Sequence, residues 1–510
     1  MSKSAANLIP RSSGILLHPT SLPGPYGIGD LGPVATRWLD TLAAMKQSWW
    51  QILPLGPTGF GDSPYQCFSA FAGNVLLLSP ELMIEDGLLA KSVAEPPHFP
   101  GMTIDYDAVM PYKNKLVRTA WSDFKGGVAK ALRPEFEEFQ QREALWLQDY
   151  CLFMAVRAAL GGRSLADWPR EVLFREPTAM AALEKDLKSE INYHAFGQFL
   201  FDRQWTRLRK YAATKKVQII GDLPIFVSAD SADVWANPDQ FLLDNDRRPT
   251  VVAGVPPDYF SEDGQHWGNP IYDWSTMKKD GYRWWIARVQ QALKQVDLIR
   301  LDHFRGFAQA WHIPAAETTA RNGKWVDGPG LPLFEAIRKS VGKLPLIAED
   351  LGLITPDVHL LRETLGLPGM RVLQFMLGDA KNPYQPHNYE PNTACYTGTH
   401  DNDTSAGWSA LLSDHDRETL TKYLGFRPEN PAHDLMRTAW ASVATMAIAP
   451  LQDVFCSGSE ARMNVPGKAA GNWGWRFTGD EFSSGLIEWV AEITERYARV
   501  PIADASALHR

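Results

Sequence analysis

The chain has 510 residues, 45% of them hydrophobic and 22% charged, with a formal net charge of -8. That composition belongs to a globular protein with ample core material, and the acidic balance argues against a nucleic-acid partner, which needs a basic face. Residues 1–11 lack the apolar core of a signal peptide, no apolar run has membrane-spanning length, and Cys67, Cys151, Cys395 and Cys456 show no CxxC spacing, so no membrane partner and a cytoplasmic protein with reduced thiols are expected.

In chain order, 14–18 reads as the first strand. The run Gly27-Ile28-Gly29-Asp30-Leu31-Gly32 after it formally fits GxGxxG. A dinucleotide site is rejected, because Pro19, Pro23 and Pro25 separate the run from the strand and Pro33 follows directly. A glycine-rich substrate loop is expected there instead. Residues 35–46 then read as a helix and 49–55 as a second strand. The Gly- and Pro-rich stretch 56–65 is a loop at its carboxyl end. From 76 to 216 the pattern is mainly helical, with Leu145, Leu152, Phe153 and Val156 at helical spacing. That is too long for one crossover, so a helical subdomain inserted into a single catalytic unit is expected.

Residues 218–224 read as the third strand. A second, loop-rich insertion follows at 229–290 and carries Trp235, Trp267, Tyr272 and Trp274. The fourth strand, 296–301, is a short apolar run. Side chains alternate along a strand, so Val296, Leu298, Arg300 and Asp302 share one face. Charges are rarely buried without a partner. An Asp held ionised by an Arg at the carboxyl end of a strand suits a nucleophile, and equally suits an ion pair that only ties strand to loop.

Further on, 344–352 is a short apolar strand ending in Glu349 and Asp350, and 396–403 ends in Asp401. Residues 370–375 and 447–453 read as the sixth and eighth strands. The stretches between strand ends are long enough for crossover helices, so the class is α/β. No solenoid repeat, low-complexity segment or trailing domain is visible.

Three strand ends that offer carboxylates resemble the alpha-amylase group of (β/α)8 TIM-barrel enzymes. Ser63-Pro64-Tyr65-Gln66, Gly221-Asp222-Leu223-Pro224-Ile225, Gly254-Val255-Pro256-Pro257-Asp258-Tyr259-Phe260, His266-Trp267-Gly268-Asn269-Pro270 and Gly471-Asn472-Trp473 narrow the resemblance to the amylomaltases, the 4-alpha-glucanotransferases of glycoside hydrolase family 77. The ordered set spans His18 to Phe477. The resemblance implies Asp302 as nucleophile, Glu349 as general acid/base and Asp401 as the residue that orients the sugar. It implies a retaining double displacement that transfers part of one alpha-1,4-glucan to another glucan or to glucose. Burial and neighbouring carboxylates would both raise the Glu349 pKa. Arg300, His303 and His400 are expected at the same sugar. Tyr65 and Asp222 match sugar-contacting positions of that family, though Asp222 also suits a turn cap. Tyr259, Phe260 and Trp267 are expected beside the acceptor.

No cofactor is expected. His18, His303, His312 and His400 match no short metal motif. Most of the 19 tryptophans should be core. A hydrolase on the same scaffold, and a glucan-binding protein with a dead site, are the competing readings; the intact set of carboxylates disfavours the second.

Overall fold

The computed structural model describes residues 9–257 and 261–501. Eight short strands close into a parallel barrel. They are β1 (Ser12–Leu16), β2 (Trp49–Gln51), β3 (Gln218–Leu223), β4 (Leu298–Leu301), β5 (Leu346–Ala348), β6 (Gly369–Val372), β7 (Thr393–Tyr396) and β8 (Met446–Pro450). Neighbours around the ring follow chain order, and β8 closes onto β1 in a five-residue register from Ser12 opposite Met446 to Leu16 opposite Pro450. Parallel neighbours require a crossover, which carries the chain back over the outside of the barrel.

Strands buried on both faces read as continuous apolar runs. Ile299, Ile347 and Ile448 are 0–1% exposed, and burying each contributes about 1.5–3 kcal/mol. Small residues let the strands approach. A Cβ on Gly14 would fall 2.5 Å from the Cβ of Trp49, so only glycine fits where β1 meets β2.

Helices fill most of the stretch between β2 and β3, including Tyr106–Lys125, Arg133–Arg142, Ala144–Ala159 and Lys188–Thr214. Asp105 starts the first of these by accepting from the Ala108 N–H at 3.1 Å. Phenylalanines glue them together: the Phe124 and Phe196 rings lie 4.9 Å apart and Phe136 and Phe199 5.4 Å. Lys188–Thr214 also serves as the barrel's own crossover, with Trp205 packed 6.3 Å from Trp50 of β2. One hydrophobic core runs from the barrel into these helices without a break.

The stretch after β3 differs from a self-contained insertion at 229–290. It contributes Val251–Val255 and Gln265–Pro270 to a four-stranded antiparallel sheet, but Gln309–Pro314 and Lys324–Asp327 complete that sheet from beyond β4. The helix Arg283–Gln295 packs on β3 and β4 as the crossover between them. The connection from β6 to β7 carries only short 3-10 turns, at Leu373–Phe375 and Pro386–Asn388.

Several strands are shorter than expected: the second stops at Gln51, the fourth starts only at Leu298, the fifth spans only Leu346–Ala348, and two others pass into helical turns. The sixth stops at Val372, where the chain tightens into a 3-10 turn, and the eighth stops at Pro450, where Leu451–Val454 forms a helical turn. A short buried apolar run looks the same in either conformation. Among the described residues no helix is long and apolar enough to cross a membrane, and the four cysteines are free.

Candidate active site

The cleft at the carboxyl ends of the strands has a volume of about 1310 Å³ and is lined by Asp302, Glu349 and Asp401 together. Barrel enzymes place their chemistry at this end. Arg300, His303, His400, Tyr65 and Trp267 also line it, with Phe375, Trp408 and Trp473 adding aromatic surface.

β4 and β5 are laced together where they end. Glu349 N–H donates to the Leu301 carbonyl at 3.0 Å, and Phe304 N–H donates to the Glu349 carbonyl at 3.0 Å. Between them His303 takes the left-handed conformation, with φ 49° and ψ 51°. That is uncommon for a residue with a Cβ and is held by its surroundings. The turn aims the His303 N–H at Glu349 Oε2, 2.6 Å away, while the Leu351 N–H donates to Oε1 at 3.1 Å.

Arg300 is buried beneath. Its Nη1 donates to Asp302 Oδ1 at 3.0 Å and to both oxygens of Asp222, at 2.8 and 2.7 Å. The register explains this, since β3 and β4 pair Asp222 directly with Arg300. Asp222 therefore departs from the expected sugar contact. Its side chain is 0% exposed, against 27% for Asp302, so it is a counter-ion behind the cleft wall. Nor does it cap a turn.

Tyr65 joins this network from the loop after β2. Its hydroxyl donates to Asp222 Oδ2 at 2.8 Å and lies 2.8 Å from His400 Nε2. With the phenol proton given to Asp222, Nε2 must be the protonated nitrogen and donate to the Tyr65 oxygen. The two rings stack with centroids 5.2 Å apart. Burial pushes the Tyr65 phenol up, keeping it a donor.

Glu349 is enclosed on the cleft floor. Burial pushes its carboxyl up to about 8, and the charge of Asp302 adds to the shift; Arg300 and the two backbone donors oppose it. It thus holds a proton at neutral pH, as a general acid must. Burial also lowers His303 to about 4, which leaves a neutral ring. Among the described residues its buried Nε2 has no partner, and Trp267 packs edge-on at 4.9 Å.

Asp401 is the most open of the three carboxylates, its side chain 44% exposed. Asn464 Nδ2 donates to its Oδ1 at 2.6 Å, and Arg462 Nη2 donates to its backbone carbonyl at 2.6 Å. Sequence reasoning missed Arg462 and Asn464. Their signal is position, in the loop after the last barrel strand, where substrate groups gather.

The glycine-rich run 27–32 does not line the cleft. Gly27 faces Phe99 and Val109, and the buried Asp30 accepts from the Gly32 N–H at 2.9 Å. Its backbone serves packing against the helical excursion. The loop 56–65 reaches the cleft instead, through Phe60 and Tyr65. Tyr259 and Phe260 lie outside the described residues. Among the described residues no group of three or more His, Cys, Asp or Glu side chains has the arrangement of a metal site.

The fold and its cleft define a (β/α)8-barrel enzyme with paired carboxyl groups in different surroundings. Comparison with known proteins narrows the class. A family model described as 4-alpha-glucanotransferase matches residues 17–481. The 4-alpha-glucanotransferases of Synechocystis sp. and Thermus thermophilus are 48% and 47% identical, over 96% of this chain and 98% and 99% of their own lengths. The solved amylomaltase from Streptococcus agalactiae, in complex with acarbose, matches with a TM-score of 0.93 at 38% identity, covering 96% of this chain and 100% of that one. The chain belongs to the 4-alpha-glucanotransferase family, and its activity is that of a 4-alpha-glucanotransferase.

Proposed function

We propose that Asp302 is the nucleophile, Glu349 the general acid/base and Asp401 the residue that grips the sugar between them. In the first step an Asp302 oxygen attacks the anomeric carbon of an alpha-1,4-linked glucosyl unit. The bond to the leaving O4 breaks, and that oxygen takes the Glu349 proton. A glycosyl ester remains on Asp302. In the second step Glu349, now a carboxylate, takes the proton from the 4-OH of an acceptor as that oxygen attacks the same carbon. The ester bond breaks and Asp302 is regenerated. One alpha-1,4 bond is lost and one is made.

The observation that carries this reading is the contrast between two carboxyls at one cleft. Asp302 lies 3.0 Å from a buried guanidinium, while burial raises Glu349 to about 8. A cleft of about 1310 Å³ exceeds the ~300–1,000 Å³ of an ordinary small-molecule pocket, which suits an oligosaccharide. Asp401, His303 and His400 offer polar contacts to ring hydroxyls. Arg300, Asp222 and Tyr65 hold the nucleophile's surroundings. The partners are alpha-1,4-glucans, with glucose among the acceptors, in the cytoplasm.

Transfer needs an acceptor to outcompete water at roughly 55 M, which proximity and exclusion of water together can achieve. Trp267 stands at the cleft, and Tyr259 and Phe260 precede it in sequence, just after Pro256 and Pro257; these three are assigned to the acceptor side. Protein given maltotriose should yield glucose and a ladder of longer maltooligosaccharides, with reducing ends almost constant. Replacing Tyr259 and Phe260 together by Ala should raise the reducing-end yield per cleavage. A steady gain of reducing ends without longer products from the wild type would make the protein a hydrolase in practice.

A further inference from the structure

Asp350 follows Glu349 directly, but its side chain turns away from the cleft toward β6 and the helix after β5. Its side chain is 0% exposed, inside the barrel wall. A carboxylate buried there is costly unless paired. The Met370 N–H of β6 donates to its Oδ1 at 2.7 Å. Arg371 Nη1 donates to the same oxygen at 3.4 Å. Arg362 Nη1, from the helix Pro356–Leu365 that follows β5, lies 3.5 Å from Oδ2.

β6 leaves room for this cluster. A Cβ on Gly369 would fall 2.2 Å from Arg362 Nη1 and 2.7 Å from Asp350 Oδ2. The ion pair therefore fills the space that any side chain at 369 would need.

The cluster bears on the chemistry through one peptide. The N–H between Asp350 and Leu351 donates to Glu349 Oε1, and the His303 N–H donates to Oε2. Both are backbone groups, so they can hold the carboxyl only if the backbone cannot turn. The β4–β5 lacing fixes the His303 side. On the other side, the Asp350 contacts anchor the Cα from which the 350–351 peptide departs, so this segment cannot shift away from Glu349 without breaking them.

We propose that Asp350 is a positioning residue for acid–base catalysis: held by Arg362, Arg371 and the β6 backbone, it anchors the segment that carries the Leu351 N–H and so aims the Glu349 carboxyl. This rests on the reading of Glu349 as the acid/base.

Three variants loosen the hold differently. Asp350→Asn keeps an acceptor for Met370 but removes the charge. Gly369→Ala displaces Arg362 and leaves every charge in place. Arg362→Lys shortens the reach. Each is assayed with maltotriose and with alpha-maltosyl fluoride, whose leaving group needs no proton in the first step. A misaimed acid should lower kcat on maltotriose by about 10- to 100-fold, part of the ~10²–10⁴-fold that a general acid supplies. KM should stay within about 2-fold, and first-turnover fluoride release within about 3-fold, of wild type, because binding and nucleophile are untouched.

Equal slowing of both donors, or of neither, would overturn the proposal. Should Asp350→Asn give no folded protein, the two variants that keep the carboxylate decide by the same split. Glu349→Gln is the control. If it also fails to spare the fluoride, the acid assignment itself falls. If it spares the fluoride and the other variants do not, only the positioning role falls.

Discussion

Glu349 keeps its proton because burial outweighs the help that Arg300 and two backbone N–H groups give its anion. That has a thermodynamic consequence. The carboxyl moves from an ordinary value of 4.5 to about 8 on folding, so the folded chain binds more protons between those values. Its contribution to stability is complete below the lower value and is lost as pH rises through the upper one. Gln has no proton to lose. The Tm of Glu349→Gln relative to wild type should therefore rise as pH goes from about 5 to about 8.5. Calorimetry that finds a constant difference across this range would contradict the raised pKa. At this scale alternation within a strand was informative: it set Arg300 and Asp302 on one face. Asp222 was not legible, because its role depends on register between β3 and β4, which no pattern within either segment encodes. Arg462 and Asn464 were hidden for a similar reason. They reach Asp401 because β7 and β8 pair side by side, which brings the loops after them together.

The loop that carries His400 and Asp401 hangs on one carboxyl. Asp453, in the helical turn after β8, accepts from Thr397 Oγ1 at 2.5 Å and from Ser405 N and Oγ, both at 2.7 Å. Both ends of the loop are thereby fixed to a fully buried group. Asp453→Asn would set an NH₂ against at least one of these donors. An unsatisfied buried group costs about 1–3 kcal/mol, and a misplacement of roughly 1 Å at a site can cost about 10²-fold in rate. Steady-state kinetics on maltotriose should show kcat/KM falling by about that factor in folded protein; an unchanged value would leave the loop independent of Asp453. This brace was invisible in the sequence because 447–453 reads as strand to its end, and a strand residue at 453 would face elsewhere. The four-stranded sheet was hidden too. Two of its strands come from after β4, and antiparallel partners so far apart leave no local signature.

The whole barrel is fastened at the end opposite the cleft. Arg499 is 0% exposed and donates to the carbonyls of Ser12, Ala439, Trp440, Ser442, Ala444 and Thr445. Ser12 opens β1 and Thr445 precedes β8, so one guanidinium pins the closing seam. Arg499→Met would remove one donor from each of these carbonyls; Trp440, Ser442 and Ala444 would still accept from Arg11, and Thr445 from the Ser12 N–H, so a loss of about 1–3 kcal/mol is expected. Urea unfolding should register it, while kcat of the folded fraction stays near wild type because the seam is remote from the cleft. Destabilisation below about 1 kcal/mol would show that water or relaxation replaces the clasp.

The barrel itself was readable, since its strands follow one another around the ring in chain order and three of them lead into the carboxylates. Its helical excursion was readable from length and period. The lack of a helix between β6 and β7 was not, because a stretch of that length could hold one.

The central claim is that Asp302 carries the sugar and Glu349 moves the proton. Glu349→Gln incubated with alpha-maltosyl fluoride should form the ester and release it slowly, since no base remains to activate the acceptor. Intact mass should rise by one maltosyl group, and peptide mapping should place it on Asp302. No adduct, or an adduct on any other residue, would contradict the pairing.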